Sequence, residues 1–561
     1  MDIQRIVLIL GLAMTAYMLV LKWNEDYGKK SPEQPPPVEV TADNIAIPQQ
    51  ESGVAGKGQE IPSAPGALEK PSSAVPQAAE ETVKRNMLVV VKTDVLDVVI
   101  DRLGGDIVRA SLPAYPEKID TPDVPFLLID PRNHYAAQSG LIGKDATDTG
   151  KGRPLFDVTK YAYQLDKGQD RLAVDLHYTT EKGVQITKRF TFTRGKYLID
   201  IDYLIDNKSD APFTVAMFGQ IKRDGEHPVV SDVNGMRLRP YTGGATFKED
   251  SPYTKLKFGN IEEEPYSDTV KGGYMAMVQH YFVSAWVPAA DETHTFTARK
   301  LSGSNIYLFG FTTPNWTVAP GSSYTEKASF YAGPKDQYKL REISPGLNLT
   351  VDYGFLWWLA EPLFALLTFI HGVVSNWGIS IILLTMIVKA LLYPLSATSL
   401  RSMAKMRRLQ PEMARLKERY GDDRQQFSQA MMELYKKEGT NPLGGCLPML
   451  LQMPVFLALY WTLMESVELR HSPFFLWIRD LSDMDPYFIL PILMGGSMFL
   501  NQMMQPEPPD PVQAKVFKFM PIMFTFFFLW FPSGLVLYWL VNNLLSVLQQ
   551  WYVTRQLEKS S

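Results

Sequence analysis

Phe355 to Leu395 reads FLWWLAEPLFALLTFIHGVVSNWGISIILLTMIVKALLYPL, and this stretch decides the fold class. It is almost continuously apolar, and as one helix it would measure about 61 Å, roughly twice the hydrocarbon core of a bilayer. The stretch should therefore divide, and Gly372 to Gly378 is the predicted joint. Its first part, 355–371, is rich in Trp and Phe, which favours an amphipathic helix in the membrane interface. Its second part, 374–395, is a predicted transmembrane span.

Further apolar blocks follow, and the last of them is too long for a single span. Trp530-Phe531-Pro532-Ser533-Gly534 divides that block into two helices joined by a tight turn. The chain also begins with an apolar run, which indicates an uncleaved anchor; a cleavable signal peptide is the alternative, but no A-x-A-like exit follows the run. In addition to 374–395, the predicted spans are 1–23, 443–464, 487–504, 516–531 and 533–553.

Two extramembrane regions separate the N-terminal anchor from the apolar stretch. Residues 24–84 carry nine prolines, which predicts a disordered tether. Residues 85–345 have the period-two pattern of half-buried strands and no alternating helices, so a large antiparallel β-sandwich is predicted. Turn signals such as Leu103-Gly104-Gly105-Asp106 recur within it. The alternating apolar positions are Val184, Ile186, Phe190 and Phe192, and then Tyr197, Ile199, Ile201 and Tyr203.

The charges of the loops predict the topology. Residues 396–441 carry ten Lys or Arg against six Asp or Glu, whereas 465–486 carry two against five. The positive-inside rule puts the first loop in the cytoplasm and the second outside. The number of spans then puts the β domain outside, and it puts both termini and the tail at 554–561 in the cytoplasm.

Lys389 is the main anomaly, because it interrupts a span built from Ile, Leu and Val. A cation at bilayer depth costs on the order of 3 kcal/mol and usually faces a water-filled cavity. The alternative is that Lys389, about six residues from the cytoplasmic end, extends its ammonium to the interface. Thr385, one turn earlier on the same face, favours a polar-lined surface.

Other spans carry polar residues at helical spacing, which indicates a hydrated concavity among the helices. For each residue alone, interhelical hydrogen bonding is the alternative. Ser497, Asn501 and Gln505 form one stripe, Tyr538, Asn542 and Ser546 form another, and Gln452 lies in a third span.

The loop at 396–441 is predicted to form a hairpin of two amphipathic helices, the first weakened by Pro411. Its methionine-rich face and basic outer face would suit clients, ribosomes or lipid headgroups. A self-contained hairpin without partners is the alternative. The residues singled out here are Met403, Lys405, Met406, Arg407 and Arg408.

Composition and missing motifs narrow the function class. The net charge of −4 creates no strong field for DNA, and the sole cysteine, Cys446, rules out an internal disulfide framework. No phosphate-binding loop and no H-E-x-x-H motif occurs, so no enzyme activity, metal or cofactor is predicted. Asp200, Asp202 and Asp206 could mimic a carbohydrate-active carboxylate set, but the polar face of one strand is the simpler interpretation.

Several stretches then point to a family. Asn441 to Pro448 reads NPLGGCLP, and Gln452 to Tyr460 reads QMPVFLALY. Together with Leu490 to Gly495, Phe526 to Tyr538 and the hairpin segments SMAKM and LQP, they resemble the YidC membrane protein insertase family in its Gram-negative form. The resemblance extends over the anchor, tether and external β domain, and so over essentially the whole chain.

The resemblance implies a membrane α-helical bundle with a five-span core plus the N-terminal anchor helix, and a large periplasmic antiparallel β-sandwich. It implies a groove open to cytoplasm and lipid that holds one cation, here Lys389. Bacterial members commonly have arginine there, so the bidentate fork of the guanidinium is lost in this chain while the charge is kept. Clients would slide along Met453, Pro454, Phe456 and Phe527. The β domain would resemble a sugar-mutarotase sandwich without catalytic use.

The implied partners are nascent inner-membrane proteins, the Sec translocon, the ribosome and the lipid bilayer, and the implied location is the bacterial inner membrane. Two other function classes remain open on the residues alone. A secondary transporter would favour paired repeats and several intramembrane ionisable groups, and neither pattern occurs. A membrane-anchored carbohydrate enzyme would need its β domain for activity, whereas an insertase should tolerate the loss of much of it.

Overall fold

The computed structural model describes two compact units, a β unit that ends at residue 351 and a helical unit that begins at residue 352. The predicted anchor at 1–23 lies outside the described residues, as does the predicted tether at 24–84 apart from residues 60–62. The described residues are 60–62, 87–226, 240–420, 423–438, 447–505 and 511–559.

The β unit is built from short and medium strands. The first ten are β1 (Leu88–Lys92), β2 (Asp97–Asp101), β3 (Asp106–Lys118), β4 (Thr121–Ile129), β5 (Ala136–Ile142), β6 (Asp157–Val158), β7 (Ala162–Gln164), β8 (Arg171–Thr179), β9 (Val184–Thr193) and β10 (Leu198–Asn207). The next ten are β11 (Phe213–Asp224), β12 (Gly243–Thr246), β13 (Thr254–Leu256), β14 (Tyr266–Lys271), β15 (Met275–Val278), β16 (Phe282–Pro288), β17 (Thr293–Lys300), β18 (Ile306–Thr312), β19 (Trp316–Val318) and β20 (Ser323–Pro334).

Within the described residues these strands form two sheets. The larger, of 11 strands, runs β14-β17-β18-β11-β5-β3-β2-β1-β7, with β19 paired to β11 and β4 paired to β3. The smaller, of nine strands, runs β13-β12-β15-β16-β20-β10-β9-β8-β6. Neighbours such as β5 and β11 or β9 and β10 are antiparallel, whereas β1 and β7 are parallel. The prediction of a large β-rich domain is confirmed.

Alternating burial in β9 and β10 matches the predicted period of two. In both strands the residues predicted to face inward are buried, and their neighbours are more exposed. Lys188 is the exception, because it occupies an inward position of β9 between apolar residues and is fully buried. The three aspartates of β10 lie on the other face of a strand that pairs with both β9 and β20, so they do not mark a sheet edge.

Aromatic side chains from both sheets form the core of the β unit. Trp286 on β16 is fully buried, 5.0 Å from the ring of Phe330 on β20 and 6.0 Å from the ring of Phe311 on β18. Because β18 belongs to the larger sheet and the other two strands to the smaller, these contacts join the sheets. Burial of such large rings is the main source of stability for a two-sheet domain.

The predicted turn at Leu103 to Asp106 joins β2 to β3 and carries a polar cluster. Gly104 has a φ of +78°, and a Cβ there would overlap the Arg153 guanidinium, so both the turn and the close approach require glycine. Arg153 pairs with Asp106, and its Nε donates to Asp148 at 2.7 Å. The Lys188 ammonium donates to the carbonyl oxygens of Gly104 at 2.9 Å and Ser139 at 3.0 Å.

Lys188 should make the stability of the β unit depend on pH. Its complete burial lowers its pKa from 10.5 to about 7, although Asp106 opposes this shift. The unfolded chain therefore binds one more proton than the folded chain between about pH 7 and about pH 10, so stability rises with pH across this window. Lys188→Met is expected to remove up to about 1.4 kcal/mol of this rise per pH unit.

Calorimetric unfolding of the full chain in detergent, at about pH 7.5 and about pH 9, measures this dependence. The exposed Lys208, paired with Asp206 at 3.3 Å, provides the control Lys208→Met, which should keep the wild-type rise. An identical change in unfolding temperature for wild type and Lys188→Met would show that Lys188 keeps its proton in the folded chain.

The described residues also contain eleven α-helices. The β unit contains α1 (Phe258–Glu263) and α2 (Gln337–Ile343). The helical unit contains α3 (Trp357–Val374), α4 (Trp377–Leu391), α5 (Tyr393–Arg408), α6 (Gln410–Tyr420), α7 (Arg424–Lys437), α8 (Leu447–Glu465), α9 (Ile489–Met503), α10 (Pro511–Phe528) and α11 (Ser533–Lys559).

Two prolines set helix boundaries that the sequence analysis placed differently. The predicted span 374–395 bends by 68° between α4 and α5, because Pro394 in the first turn of α5 has no N–H and its ring opposes continuation of α4. Pro411 likewise lies in the first turn of α6 and separates it from α5 at Leu409, where only a weakened helix was predicted.

By length and composition, one helix among the described residues could cross a membrane, running from Gly354 to Val374. The bent pair α4 and α5 makes a second if it is counted as one span, and α9 is apolar but shorter. The interfacial position of α3 and the total of six spans therefore stay predictions.

Candidate functional site

Lys389 lies near the end of α4 and is half-buried among polar side chains from two distant helices. Its ammonium donates to the hydroxyl of Ser546 on α11 at 2.7 Å and contacts the amide oxygen of Gln452 on α8 at 3.5 Å. Asn376 caps the start of α4 by accepting from the Ile379 N–H, which fixes where this helix begins. The charge is thus held where three helices meet.

A chain of hydrogen bonds extends this polar centre along α11. The Gln452 amide donates to the side-chain oxygen of Asn542, and the Ser546 hydroxyl donates to the Asn542 carbonyl at 2.8 Å. Thr385, one turn before Lys389, is buried, and its hydroxyl donates to the Ile381 carbonyl at 2.6 Å. The polar groups around the ammonium are therefore oriented by one another.

Two spaces adjoin Lys389. The inner one is a cavity of about 10 Å³, close to the minimum for a single water molecule. The other is an open groove of about 420 Å³ with a mostly apolar lining. The cavity is lined by Thr385, Val388, Lys389, Leu392, Ser396, Gln452, Tyr538 and Asn542. The groove is lined by Met386, Lys389, Ala390, Tyr393, Leu545 and Gln549.

The stripe on α9 does not join this centre. The Ser497 hydroxyl donates to the Met494 carbonyl at 2.6 Å and accepts from the Asn543 side chain at 3.2 Å. Asn501, in the last turn of α9, is half-buried and does not line the cavity. Neither residue lines the cavity or the groove at Lys389. Ser497 instead bonds to Asn543 across the α9–α11 contact, as expected of an interhelical hydrogen bond.

The predicted client-contact residues fall into an exposed and a packed group. Met453 and Pro454 on α8 are exposed, and Phe527 on α10 is 43% exposed. Phe456 is instead half-buried in an aromatic cluster, with its ring 4.6 Å from that of Trp539 and 6.3 Å from that of Phe528. The first three are therefore accessible at the surface of the helical unit, whereas Phe456 packs inside it.

The predicted hairpin residues divide by helix face on α5. Met403 is buried against Leu400 and Val553, and Met406 is half-buried. Lys405, Arg407 and Arg408 are exposed. Because Val553 belongs to α11, α5 is anchored to the helical unit by its apolar face and presents its cations outward.

The outer part of the hairpin has a small core of its own. Met413 on α6 packs with Met431 and Leu434 on α7, and all three are buried. Asp423 caps α7 by accepting from the N–H groups of Gln425 and Gln426. Residues 421–422, which join the two helices, lie outside the described residues.

Two contributors to the polar centre were not among the residues singled out. The sequence places Ser546 only in a polar stripe, yet its hydroxyl is the nearest partner of Lys389. Ser396 lines the cavity from α5, and the bend at Leu392 brings it there. Its spacing of seven residues from Lys389 already predicts a place on the same helix face, so the signal was present in the sequence.

Comparisons with known proteins agree along the whole chain. The family model described as the YidC periplasmic domain matches residues 88–366, and the one described as the 60Kd inner membrane protein matches 369–560. The membrane protein insertase YidC of Pseudomonas fluorescens is 51% identical over 100% of this chain and 99% of its own length. That of Cellvibrio japonicus is also 51% identical, with the same coverage.

A solved structure described as an active YidC insertase with its first transmembrane domain resolved covers 83% of this chain and 92% of that chain. Its identity is 18% and its TM-score is 0.38. The family descriptions are those of inner-membrane proteins with a periplasmic domain, and the relatives' name denotes a non-enzymatic role. With half of its residues identical to those relatives from end to end, this chain belongs to the YidC family of membrane protein insertases.

Proposed function

We propose that this chain inserts membrane proteins by offering their polar external tails a positively charged, hydrated route at Lys389. The observation that carries the proposal is the position of the Lys389 ammonium, which is bonded to Ser546 and also borders the open groove. One side chain can therefore exchange its internal partner for an acidic group that enters along the groove.

The energetic problem is the dry path across hydrocarbon. An unpaired polar group costs several kcal/mol to bury, and an isolated carboxylate costs far more. Polar side chains on α4, α8 and α11 shorten that path by supplying hydrogen-bond partners partway through the bilayer. The cavity itself has room for about one water. Hydration of the larger groove, with its wide opening, would then supply most of the solvent for a passing tail.

The apolar part of a client helix would leave by a different surface. Exposed Met453, Pro454 and Phe527 provide a flexible or aromatic apolar face on α8 and α10. A client helix that leaves this face for lipid exchanges one apolar surface for another and brings its own backbone hydrogen bonds. The membrane potential would assist an acidic tail by about 2.3 kcal/mol per charge per 100 mV, so the step requires no nucleotide.

The cytoplasmic surface suits reception of clients. The exposed cations of α5 would contact ribosome-bound nascent chains or anionic headgroups, whereas the buried methionines of α6 and α7 hold those two helices together. Cooperation with the Sec translocon would bring in clients whose external domains are too large for the groove. On this proposal both termini lie in the cytoplasm and the β unit lies in the periplasm, in keeping with the charge of the loops.

Labelling of a cysteine at position 389 tests the hydrated route. Lys389→Cys is made in a Cys446→Ser background, so that the full chain has one thiol. Because maleimides react with the thiolate in water, a membrane-impermeant maleimide should label it from the cytoplasmic side at least about ten times faster than from the periplasmic side.

Two further single-cysteine variants provide reference labelling rates for this experiment. Ile387→Cys, two residues earlier on the same helix and exposed on the surface of the helical unit, should label slowly from both sides if that surface faces lipid. Lys405→Cys, on the exposed face of α5, should label fast from the cytoplasm. If the cysteine at position 389 is labelled as slowly as the one at position 387, position 389 is not in contact with water. If the cysteine at position 389 is labelled equally fast from both sides of the membrane, the site is part of a channel.

A further inference from the structure

A short segment ahead of the first strand lies against the outer face of the larger sheet. It consists of Glu60, Ile61 and Pro62, here called the tripeptide, and 24 residues separate it from Met87. Ser139 on β5 faces the smaller sheet, where its hydroxyl accepts from Tyr203 at 3.4 Å. Side chains alternate along a strand, so Gln138 of β5 points to the opposite, outer face, where the tripeptide lies.

The acidic end of the tripeptide is bound by four side chains. The Glu60 carboxylate accepts from Lys222 at 2.8 Å and from Gln138 at 3.1 Å. The Glu60 carbonyl accepts from Gln220 at 3.0 Å and from Arg299 at 3.2 Å. Burial alone would raise the pKa of Glu60, but Lys222 lowers it below its usual value, in keeping with an anion held by a cation.

The apolar part of the tripeptide packs on β5 and β11, next to the side chains that bind Glu60. Ile61 is buried against Ile142, Ala216 and Phe218. Register pairs Ile142 with Ala216 and Gln138 with Gln220, four residue pairs apart on the β5–β11 ladder. One end of this pair of strands therefore binds the apolar side chain of Ile61. The other end, which carries the polar and cationic side chains, binds Glu60.

The burial of the polar side chains that contact Glu60 indicates a preformed binding site. Gln138, Gln220 and Lys222 are exposed by only 8%, 4% and 6% although they lie on an outer face. Buried polar groups need partners, and Glu60 supplies one to each of them. Gln220 also donates to Gln138 at 2.9 Å, so the side chains that bind the tripeptide hold one another in position.

We propose that this cleft of β5, β11 and β17 is a binding site for a short acidic-apolar peptide, and that the chain fills it with its own Glu60-Ile61-Pro62. The segment that precedes the β unit is thereby attached to the outer face of the larger sheet, well before β1 begins. The same occupancy closes the cleft to other acidic peptides in the periplasm.

Cleavage by a glutamate-specific protease tests this occupancy in the full chain. Glu51 and Glu69 flank Glu60 in sequence and serve as internal references. Each rate is divided by that of a free synthetic peptide of the same sequence. In the wild-type chain cleavage after Glu60 should then be at least about tenfold slower than after the references, because only the undocked fraction is cut.

Two variants should remove this protection. Ile61→Ser weakens the apolar contact of the tripeptide, and it should leave the β unit folded because Ile61 belongs to neither sheet. Lys222→Met removes the cation that binds Glu60. The exposed Lys208→Met is the matched control and should keep the protection. Equal normalised rates at all three glutamates in the wild type, or an unchanged rate after Glu60 in Ile61→Ser, would overturn the proposal whatever Lys222→Met does.

Discussion

Replacement of Lys389 by methionine is expected to slow the insertion of clients with acidic external tails at least about tenfold. Methionine keeps most of the length of the side chain and removes the charge. An ammonium and a carboxylate about 4 Å apart attract each other by about 4 kcal/mol at an effective dielectric constant of 20, and a third of that changes a rate about tenfold. Lys389→Arg should retain insertion, because the charge remains.

Insertion of a single-span client into proteoliposomes, scored by protection of its external tail from protease, measures this effect. Lys518→Met removes an exposed lysine from α10 and should leave the rate unchanged. A client whose tail has no acidic residue should be slowed less than its acidic counterpart. Full-speed insertion of acidic tails by Lys389→Met would show that the charge is not used.

Replacement of Arg153 by methionine is expected to destabilise the β unit by about 3–5 kcal/mol. The Arg153 side chain is 14% exposed, and its carboxylate partners Asp106 and Asp148 are 8% and 3% exposed. Asp148 also accepts from the Leu141 N–H, but this bond does not neutralise its charge. Loss of the guanidinium therefore leaves two buried negative charges side by side.

A surface pair provides the matched comparison for Arg153. Arg189 is paired with Asp175 by two short hydrogen bonds, but its side chain is 38% exposed, so Arg189→Met should cost no more than about 1 kcal/mol. Calorimetric unfolding of both variants in the full chain measures the difference. Similar unfolding temperatures would mean that water or a shift in protonation compensates for the loss of Arg153.

Local patterns predicted much of the fold. Alternation in β9 and β10 and the glycines of the turn before Asp106 are properties of neighbouring residues, so they could be found without knowing the sheet order. The same alternation places Lys188 at an inward position between Ile186 and Phe190. A lysine there already indicates a buried cation that needs partners.

The candidate site was predictable only in part. Lys389 stood out because a cation in an apolar span is costly, and Gln452 and Asn542 were recognised as polar residues inside spans. Which of the polar stripes meets Lys389 depended on helix packing. The two stripes have the same spacing, yet Ser546 bonds to the ammonium and Ser497 bonds to Asn543.

By itself the sequence determined the β-rich and helical regions, the turn glycines and the place of Lys389 within an apolar stretch, because periodicity and local composition depend on residues close together in the chain. Only the tertiary structure decided which side chains meet. Lys389 and Ser546 are 157 residues apart, and Glu60 and Lys222 are 162 apart. Contacts over such separations depend on how whole helices and sheets pack, and no local pattern encodes that packing.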